Sequence, residues 1–195
     1  MDFLGEIGKG IILVYGESAT GKSTFGLQSS LNVAKEGKVL FLDCDGSFSL
    51  DRIKKMDSEC SSYLDRFLVV NLKDLLELDS KLEQFEKMVD KFDLVVLDNI
   101  GLYYRLGLKE NYVVTNSIIV RILRKLRHMS EEIPVIIISQ VYEMDEGKKV
   151  LGGKMIQNFS DYVVELSKEP RKFKLMKPEE KEFLFKLEDK GLVKI

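Results

Sequence analysis

A run of eight residues near the start of the chain has the spacing G-x-x-x-x-G-K-S, which is typical of loops that bind nucleotide phosphates. Glycines let such a loop curl so that successive N–H groups point at phosphate oxygens, and the helix that follows adds its positive dipole. The spacing predicts a site for ATP with Mg²⁺ beside it. The residues predicted to contact the nucleotide are Gly16, Glu17, Ser18, Ala19, Thr20, Gly21, Lys22, Ser23 and Thr24.

Particular roles follow from the side chains of this motif. Lys22 should bridge the β- and γ-phosphates, and Ser23 should offer its hydroxyl to Mg²⁺. Asp98 follows an apolar run, residues 94–97, that predicts a buried strand. An acidic residue at the carboxyl end of such a strand is well placed to hold the Mg²⁺ shell through water, although it would also suit the cap of a loop. Paired with the loop motif, Asp98 is the predicted second metal residue.

Apolar periodicity predicts the elements that position these residues. Five short apolar runs predict buried strands, at residues 11–15, 39–42, 67–70, 94–97 and 135–138. Helices are predicted between them, at residues 22–35, 73–91 and about 118–129. Three short strands without a long helix between them follow, at residues 162–166, 173–176 and 183–187. We therefore predict one α/β domain over residues 1–195, with a mostly parallel central sheet flanked by helices and an antiparallel C-terminal extension.

Composition narrows the class of protein. The net charge is −2 over 195 residues, so any contact with nucleic acid must come from a local patch. The two cysteines, Cys44 and Cys60, have no metal-ligand spacing and are expected to be reduced thiols. No apolar segment approaches the roughly 20 residues that span a bilayer. These features predict a cytoplasmic protein without a membrane partner.

Further segments resemble the RecA/RadA recombinase family. Residues 41–48, Phe-Leu-Asp-Cys-Asp-Gly-Ser-Phe, resemble its Asp-Thr-Glu-Gly-x-Phe segment. Residues 98–100 are similar to its second nucleotide motif, residues 138–142 to its Thr-Asn-Gln-Val segment, and residues 151–154 to the Gly-Gly element that follows. The end of the chain, residues 185–192, resembles the terminal strand and Lys-Gly turn. The resemblance covers nearly the whole chain and implies a P-loop NTPase fold of RecA type.

The resemblance also implies catalytic roles for Asp45 and Gln140 beside Lys22. In the family an acidic residue after the second strand polarises the water that attacks the γ-phosphate, and Asp45 takes that position. The family usually has Glu there. Because Asp is one methylene shorter, we expect slow hydrolysis. Gln140 would sense the γ-phosphate and signal to the following loop. On the residues alone, Asp45 is equally well interpreted as part of an ordinary Asp-Gly turn, and Gln140 as a polar residue at the end of a strand.

Two loops, residues 103–112 and 142–157, would face DNA according to the resemblance. Cations bind phosphates and tyrosines stack on unpaired bases, so these loops predict weak, salt-sensitive binding of single-stranded DNA. The candidate DNA-binding residues are Arg105, Lys109, Lys148, Lys149 and Lys154. Solvated charged loops are the alternative, because Glu143, Asp145 and Glu146 nearly cancel the lysines of the second loop.

The resemblance points to the short archaeal members of the family, which consist of the ATPase core alone. RadA-type chains carry an N-terminal helical domain and a linker that docks on the neighbouring subunit. About ten residues precede the first predicted strand here, so we expect no separate N-terminal domain. The resemblance also allows a homo-oligomer, because the family places ATP between adjacent subunits.

An accessory protein of DNA repair and homologous recombination, which modulates a main recombinase of RadA type, is the function favoured by this resemblance. Two alternatives remain. A small P-loop kinase would need an Arg-rich lid, whereas residues 142–157 contain lysines and no arginine. A KaiC-like signalling ATPase without a DNA role would share the core fold.

Overall fold

Ten strands form one mixed sheet in this computed structural model, which describes residues 8–144, 147–150 and 153–195, with the backbone alone at 142–144, 147–150 and 153. The strands are β1 (Gly10–Gly16), β2 (Val39–Asp43), β3 (Phe67–Asn71), β4 (Leu94–Asp98), β5 (Pro134–Met144), β6 (Gly147–Val150), β7 (Tyr162–Lys168), β8 (Arg171–Lys177), β9 (Lys181–Glu188) and β10 (Gly191–Lys194). The helices are α1 (Lys22–Ala34), α2 (Leu50–Met56), α3 (Leu75–Glu86), α4 (Ile100–Glu110), α5 (Tyr112–Ser130) and α6 (Gly153–Phe159). Short 3₁₀ turns lie at Cys60–Ser62, Leu64–Arg66 and Val89–Lys91.

The sheet has the order β10-β9-β8-β7-β1-β5-β4-β2-β3, and β6 pairs with the extension of β5. Strands β3, β2, β4, β5, β1 and β7 run parallel. Strands β1, β2 and β4 are buried along their whole length, which explains why they are continuous apolar runs rather than alternating ones. Because their carboxyl ends meet at one edge, residues that follow distant strands are brought together there.

Helices cover both faces of the parallel strands. Along β1, Leu13 packs on the face that holds the apolar stripe of α5, and Val14 packs on the opposite face with α1. The stripe of α5 recurs at spacings of three and four through Ile119, Ile122 and Leu126, all with no exposed surface. Full burial of each such side chain stabilises the fold by about 1.5–3 kcal/mol.

The C-terminal strands curl back towards α1. Gln28 of α1 forms two hydrogen bonds with the backbone of Leu192 in β10: its Nε2 donates to the carbonyl at 3.3 Å, and its Oε1 accepts from the amide at 2.9 Å. Strand β10 is therefore held by a helix side chain on one side and by β9 on the other. In the part of the chain that the structure describes, no helix is long and apolar enough to cross a membrane.

Most predicted elements are confirmed, and three details differ. Residues 103–112 are not a loop: they belong to α4 and the start of α5, which meet at Asn111. Helix α4 was not predicted, because the resemblance assigned these residues to a DNA-facing loop, although Ile100, Tyr104 and Leu108 pack against the core at a spacing of four. Polar residues cap α4 and α5. The Asn99 side chain accepts from the Gly101 amide at 2.9 Å, and Asn111 accepts from the Val114 amide at 3.1 Å.

The other differences concern residues 134–168. Strand β5 does not end near Ile138 but continues to Met144 and pairs with β6, so the described residues between 142 and 157 belong to β5, β6 and α6 rather than to one loop. Strand β7 was predicted as part of the antiparallel extension. It runs parallel to β1, and the antiparallel order begins with β8. Strand β7 is parallel because the chain crosses over through α6 after β5 and β6, and so re-enters the sheet at the end where the parallel strands begin.

Asp79 of α3 links this helix to α5, and its charge should make stability depend on pH. Its carboxylate accepts from Arg121 at 2.8 Å and from Lys125 at 2.9 Å. Burial raises the pKa of Asp79, but the hydrogen bonds from Lys125 and Arg121 outweigh it and lower the pKa overall. A lowered pKa in the folded state gives stability that is complete above the unfolded value, about 3.9, and is lost as pH falls below it.

We expect Asp79→Asn to lower the free energy of unfolding by about 1 kcal/mol at pH 7 and by progressively less below pH 4. Urea unfolding of both proteins across this range measures the difference. Glu83→Gln is the matched control, because Glu83 is mostly exposed and 4.0 Å from Lys125. An Asp79→Asn effect that does not vary with pH would contradict the ion-pair account.

Candidate nucleotide site

The phosphate-binding loop joins β1 to α1. Two of its residues have positive φ, Ala19 at 63° and Gly21 at 103°. A Cβ added at Gly16 would lie 2.2 Å from the carbonyl oxygen of Leu166 in β7, so no side chain fits there. The strand, the curled loop and the helix N-terminus are thus arranged as the motif predicts.

Lys22 brings a positive charge to the inside of this loop. Its Nζ donates to the Glu17 carbonyl at 2.6 Å, and Thr20 Oγ1 donates to the same oxygen at 3.0 Å. Burial lowers the pKa of Lys22, and the carboxylates of Asp98, Asp45 and Glu17 oppose this. A cation in such a buried position interacts strongly with a polyphosphate.

Asp98 lies at the end of β4 with no exposed surface. Its Oδ2 accepts from Ser47 Oγ at 2.9 Å, whereas its Oδ1 is buried and has no hydrogen-bond partner among the described residues. Burial raises the pKa of Asp98 to about 6, and the nearby hydroxyls of Ser23 and Ser47 oppose the rise. A buried carboxylate oxygen without a partner, beside the hydroxyl of Ser23, fits the oxygen ligands that Mg²⁺ prefers.

Asp43 organises the loop that carries Asp45, and the sequence analysis did not predict this role. The buried Asp43 carboxylate accepts from the amides of Asp45 at 3.4 Å, Ser47 at 3.0 Å and Phe48 at 3.1 Å. Asp45 is exposed at the tip of this loop, and Ser47 reaches Asp98. The Asp-x-Asp-Gly-Ser spacing is a signal for such a turn, because Asp side chains bond to amides a few residues ahead.

Gln140 lies in the middle of the extended strand β5 rather than at its end. The register pairs it with Gly16, the first residue of the phosphate-binding loop, and its side chain is half-buried. The same edge holds Asp43 opposite Asp98 in the pairing of β2 with β4. The residues predicted to act in catalysis, metal binding and phosphate binding therefore lie together near the carboxyl ends of the parallel strands.

The candidate DNA-binding residues lie on three different elements. Arg105 and Lys109 are exposed on α4, and Lys154 is exposed on α6. Lys148 and Lys149 belong to β6, where the backbone alone is described. Residues 151 and 152, part of the predicted Gly-Gly element, lie outside the described residues.

Comparisons with known proteins agree with this geometry. A family profile described as an AAA domain matches residues 9–182. The DNA repair and recombination protein RadB of Methanocaldococcus jannaschii is 31% identical over 174 residues, which cover 85% of this chain and 82% of that protein. The chain belongs to the RadB family. RadB of Thermococcus sibiricus is 33% identical over 149 residues, which cover 71% of this chain and 62% of that protein. A crystal structure of the RadB recombinase has a TM-score of 0.79 at 27% identity and covers 94% of this chain and 89% of that one.

RadB-family membership confirms the resemblance to archaeal recombination proteins and the RecA-type fold. Such an ATPase-type domain implies nucleotide binding, usually with Mg²⁺. In this chain the curled loop and Lys22 fit the phosphates, and Ser23 with the unpartnered oxygen of Asp98 fits the metal.

Lys22→Ala should abolish ATP binding, because it removes the cation that the loop holds against the phosphates. We expect a loss of at least about 100-fold in affinity, as measured by calorimetric titration with Mg·ATP. Lys38→Ala is the control, since Lys38 is an exposed lysine just before β2, at the opposite end of the parallel strands. Unchanged affinity in Lys22→Ala would mean that the nucleotide binds elsewhere.

Proposed function

We propose that this RadB-family protein is an ATP-dependent accessory factor of DNA repair and homologous recombination, with residues 1–195 forming a single ATPase core. It binds Mg·ATP, hydrolyses it slowly, binds single-stranded DNA weakly and modulates a main recombinase of RadA type. The recombination role rests on the match to RadB, and the observation that supports the ATPase role is the hydrogen bond from Ser47 to Asp98, which joins the Asp45 loop to the proposed metal residue. This contact connects the proposed catalytic loop with the nucleotide site.

The residues divide the work of ATP hydrolysis. Lys22 and the N–H groups of the loop would hold the phosphates, and Ser23 and Asp98 would hold Mg²⁺, whose charge would stabilise the negative charge of the transferred phosphoryl group. Asp45 orients the attacking water and accepts its proton. Since Asp45 is short and exposed, it holds that water loosely, which supports slow hydrolysis.

Strand β5 offers a route from the nucleotide to DNA. Gln140 pairs with Gly16, and the same strand continues for four residues into the hairpin with β6. An amide that bonds the γ-phosphate in one state and releases it in another would shift this hairpin, which carries Lys148 and Lys149. Arg105 and Lys109 add two exposed cations from α4.

Asp45→Asn should leave Mg·ATP affinity within about twofold and reduce phosphate release by about 100-fold or more, because an amide accepts no proton at neutral pH. Asp45→Glu should raise turnover, since the longer side chain reaches closer to the γ-phosphate. Asp51→Asn, which removes an exposed carboxylate on α2, is the control. Phosphate release by Asp45→Asn at the wild-type rate would exclude Asp45 as the base.

Binding of labelled single-stranded DNA should weaken with salt and change when Mg·ATP is added. The double variant Arg105→Ala/Lys109→Ala should bind at least about fivefold more weakly and reduce the slope of log affinity against log salt by up to about two. Fluorescence anisotropy measures both. Lys54→Ala/Lys55→Ala removes two exposed charges from α2 and serves as control. No binding by wild type at any salt concentration would contradict the DNA part of the proposal.

A further inference from the structure

The hairpin of β7 and β8 lies against the outside of the phosphate-binding loop at three successive points. The carbonyl oxygen of Leu166 lies so close to Gly16 that a Cβ added there would be 2.2 Å away. Lys168 Nζ is 3.4 Å from Glu17 Oε2. Arg171 Nη1 donates to the Ala19 carbonyl at 3.2 Å. The C-terminal part of the chain thus contacts the loop at Gly16, Glu17 and Ala19.

The hydrogen bond from Arg171 to the Ala19 carbonyl constrains the direction in which the N–H of Thr20 points. A trans peptide is planar, so the carbonyl of one residue and the N–H of the next point in opposite directions. When Arg171 holds the Ala19 carbonyl outward, the N–H of Thr20 must point inward, where the phosphates lie. Ala19 has a φ of 63°, a left-handed conformation that is unfavourable for a residue with a side chain. A charged donor on its carbonyl offsets part of that cost.

We propose that Arg171 is a positioning residue for nucleotide binding: it holds the outer side of the loop so that the inner side is ready for phosphates. The inference rests on ATP binding as proposed above. Arg171 acts through the backbone of Ala19 and Thr20. Lys168 adds a weaker, more exposed contact through Glu17.

The chain offers a matched comparison for Arg171 within the same strand. Lys172 is the next residue, and its Nζ donates to Glu182 of β9 at 3.1 Å. Removing either side chain deletes one positive charge from β8, but Arg171 alone of these two donates to the loop in the contacts described. A general effect of charge or of hairpin stability would therefore appear in both variants.

The experiment measures the affinities of wild type, Arg171→Ala, Arg171→Lys and Lys172→Ala for Mg·ATP and Mg·ADP by titration calorimetry, together with thermal unfolding without nucleotide. We expect Arg171→Ala to bind both nucleotides about three- to tenfold more weakly, because both carry the β-phosphate that the loop cradles. Lys172→Ala should match wild type, and Arg171→Lys should recover part of the loss. The unfolding temperatures of Arg171→Ala and Lys172→Ala should agree.

Equal nucleotide affinity in Arg171→Ala and Lys172→Ala would overturn the inference while leaving the proposed function standing. So would a loss of affinity in Arg171→Ala that comes with a much lower unfolding temperature and is not rescued by lysine, because that pattern indicates a structural role. Failure of wild type itself to bind Mg·ATP or Mg·ADP would overturn the proposed function, and this inference with it.

Discussion

Asp98 places a fully buried carboxylate at the carboxyl end of β4, directly after four buried apolar residues, and the adjoining loop provides hydrogen-bond partners for it. An ionisable group in such a position must be paired, hydrogen-bonded or bound to a cation. Ser47 satisfies one oxygen, and the Cys44 amide donates to the Asp98 backbone carbonyl at 2.6 Å. Both partners come from the loop that Asp43 holds. The same loop presents Asp45, so the location of a single buried charge determines where the proposed base lies.

Strand register carries this arrangement across the sheet. Gly16 lies opposite Gln140, and Asp43 lies opposite Asp98. Because side chains alternate between faces along a strand and both faces are buried here, a slip of one residue in either pair would move each side chain into the core on the opposite face, where it would not fit its neighbours. The apolar packing that stabilises the sheet therefore also sets the spacing of the nucleotide site. One strand register therefore determines both the packing of these strands and the positions of the nucleotide-site residues at their carboxyl ends.

The parts of the site that depend on local sequence could be predicted, and the parts that depend on tertiary contacts could not. The loop motif and the apolar run before Asp98 locate two halves of the site, and register then brings them together as expected. Helix α4 was missed because the family resemblance assigned residues 103–112 to a loop, and its two glycines weaken the helical signal, although Ile100, Tyr104 and Leu108 form an apolar face with a spacing of four. The bond from Arg171 to Ala19 joins residues 152 positions apart and follows only from the folded chain. The bonds from Asp43 to three amides are local, and their Asp-x-Asp-Gly-Ser signal was overlooked.

The contact between Gln28 and Leu192 has a consequence for how the molecule behaves at high concentration. A strand at the margin of a sheet offers its free amides and carbonyls as a template on which another chain can pair, and this is a common start of aggregation. At Leu192 both backbone groups are already bonded to one amide side chain of α1. An incoming strand would first have to displace that side chain, so the terminal strand is guarded against edge-to-edge association by a residue far away in the sequence.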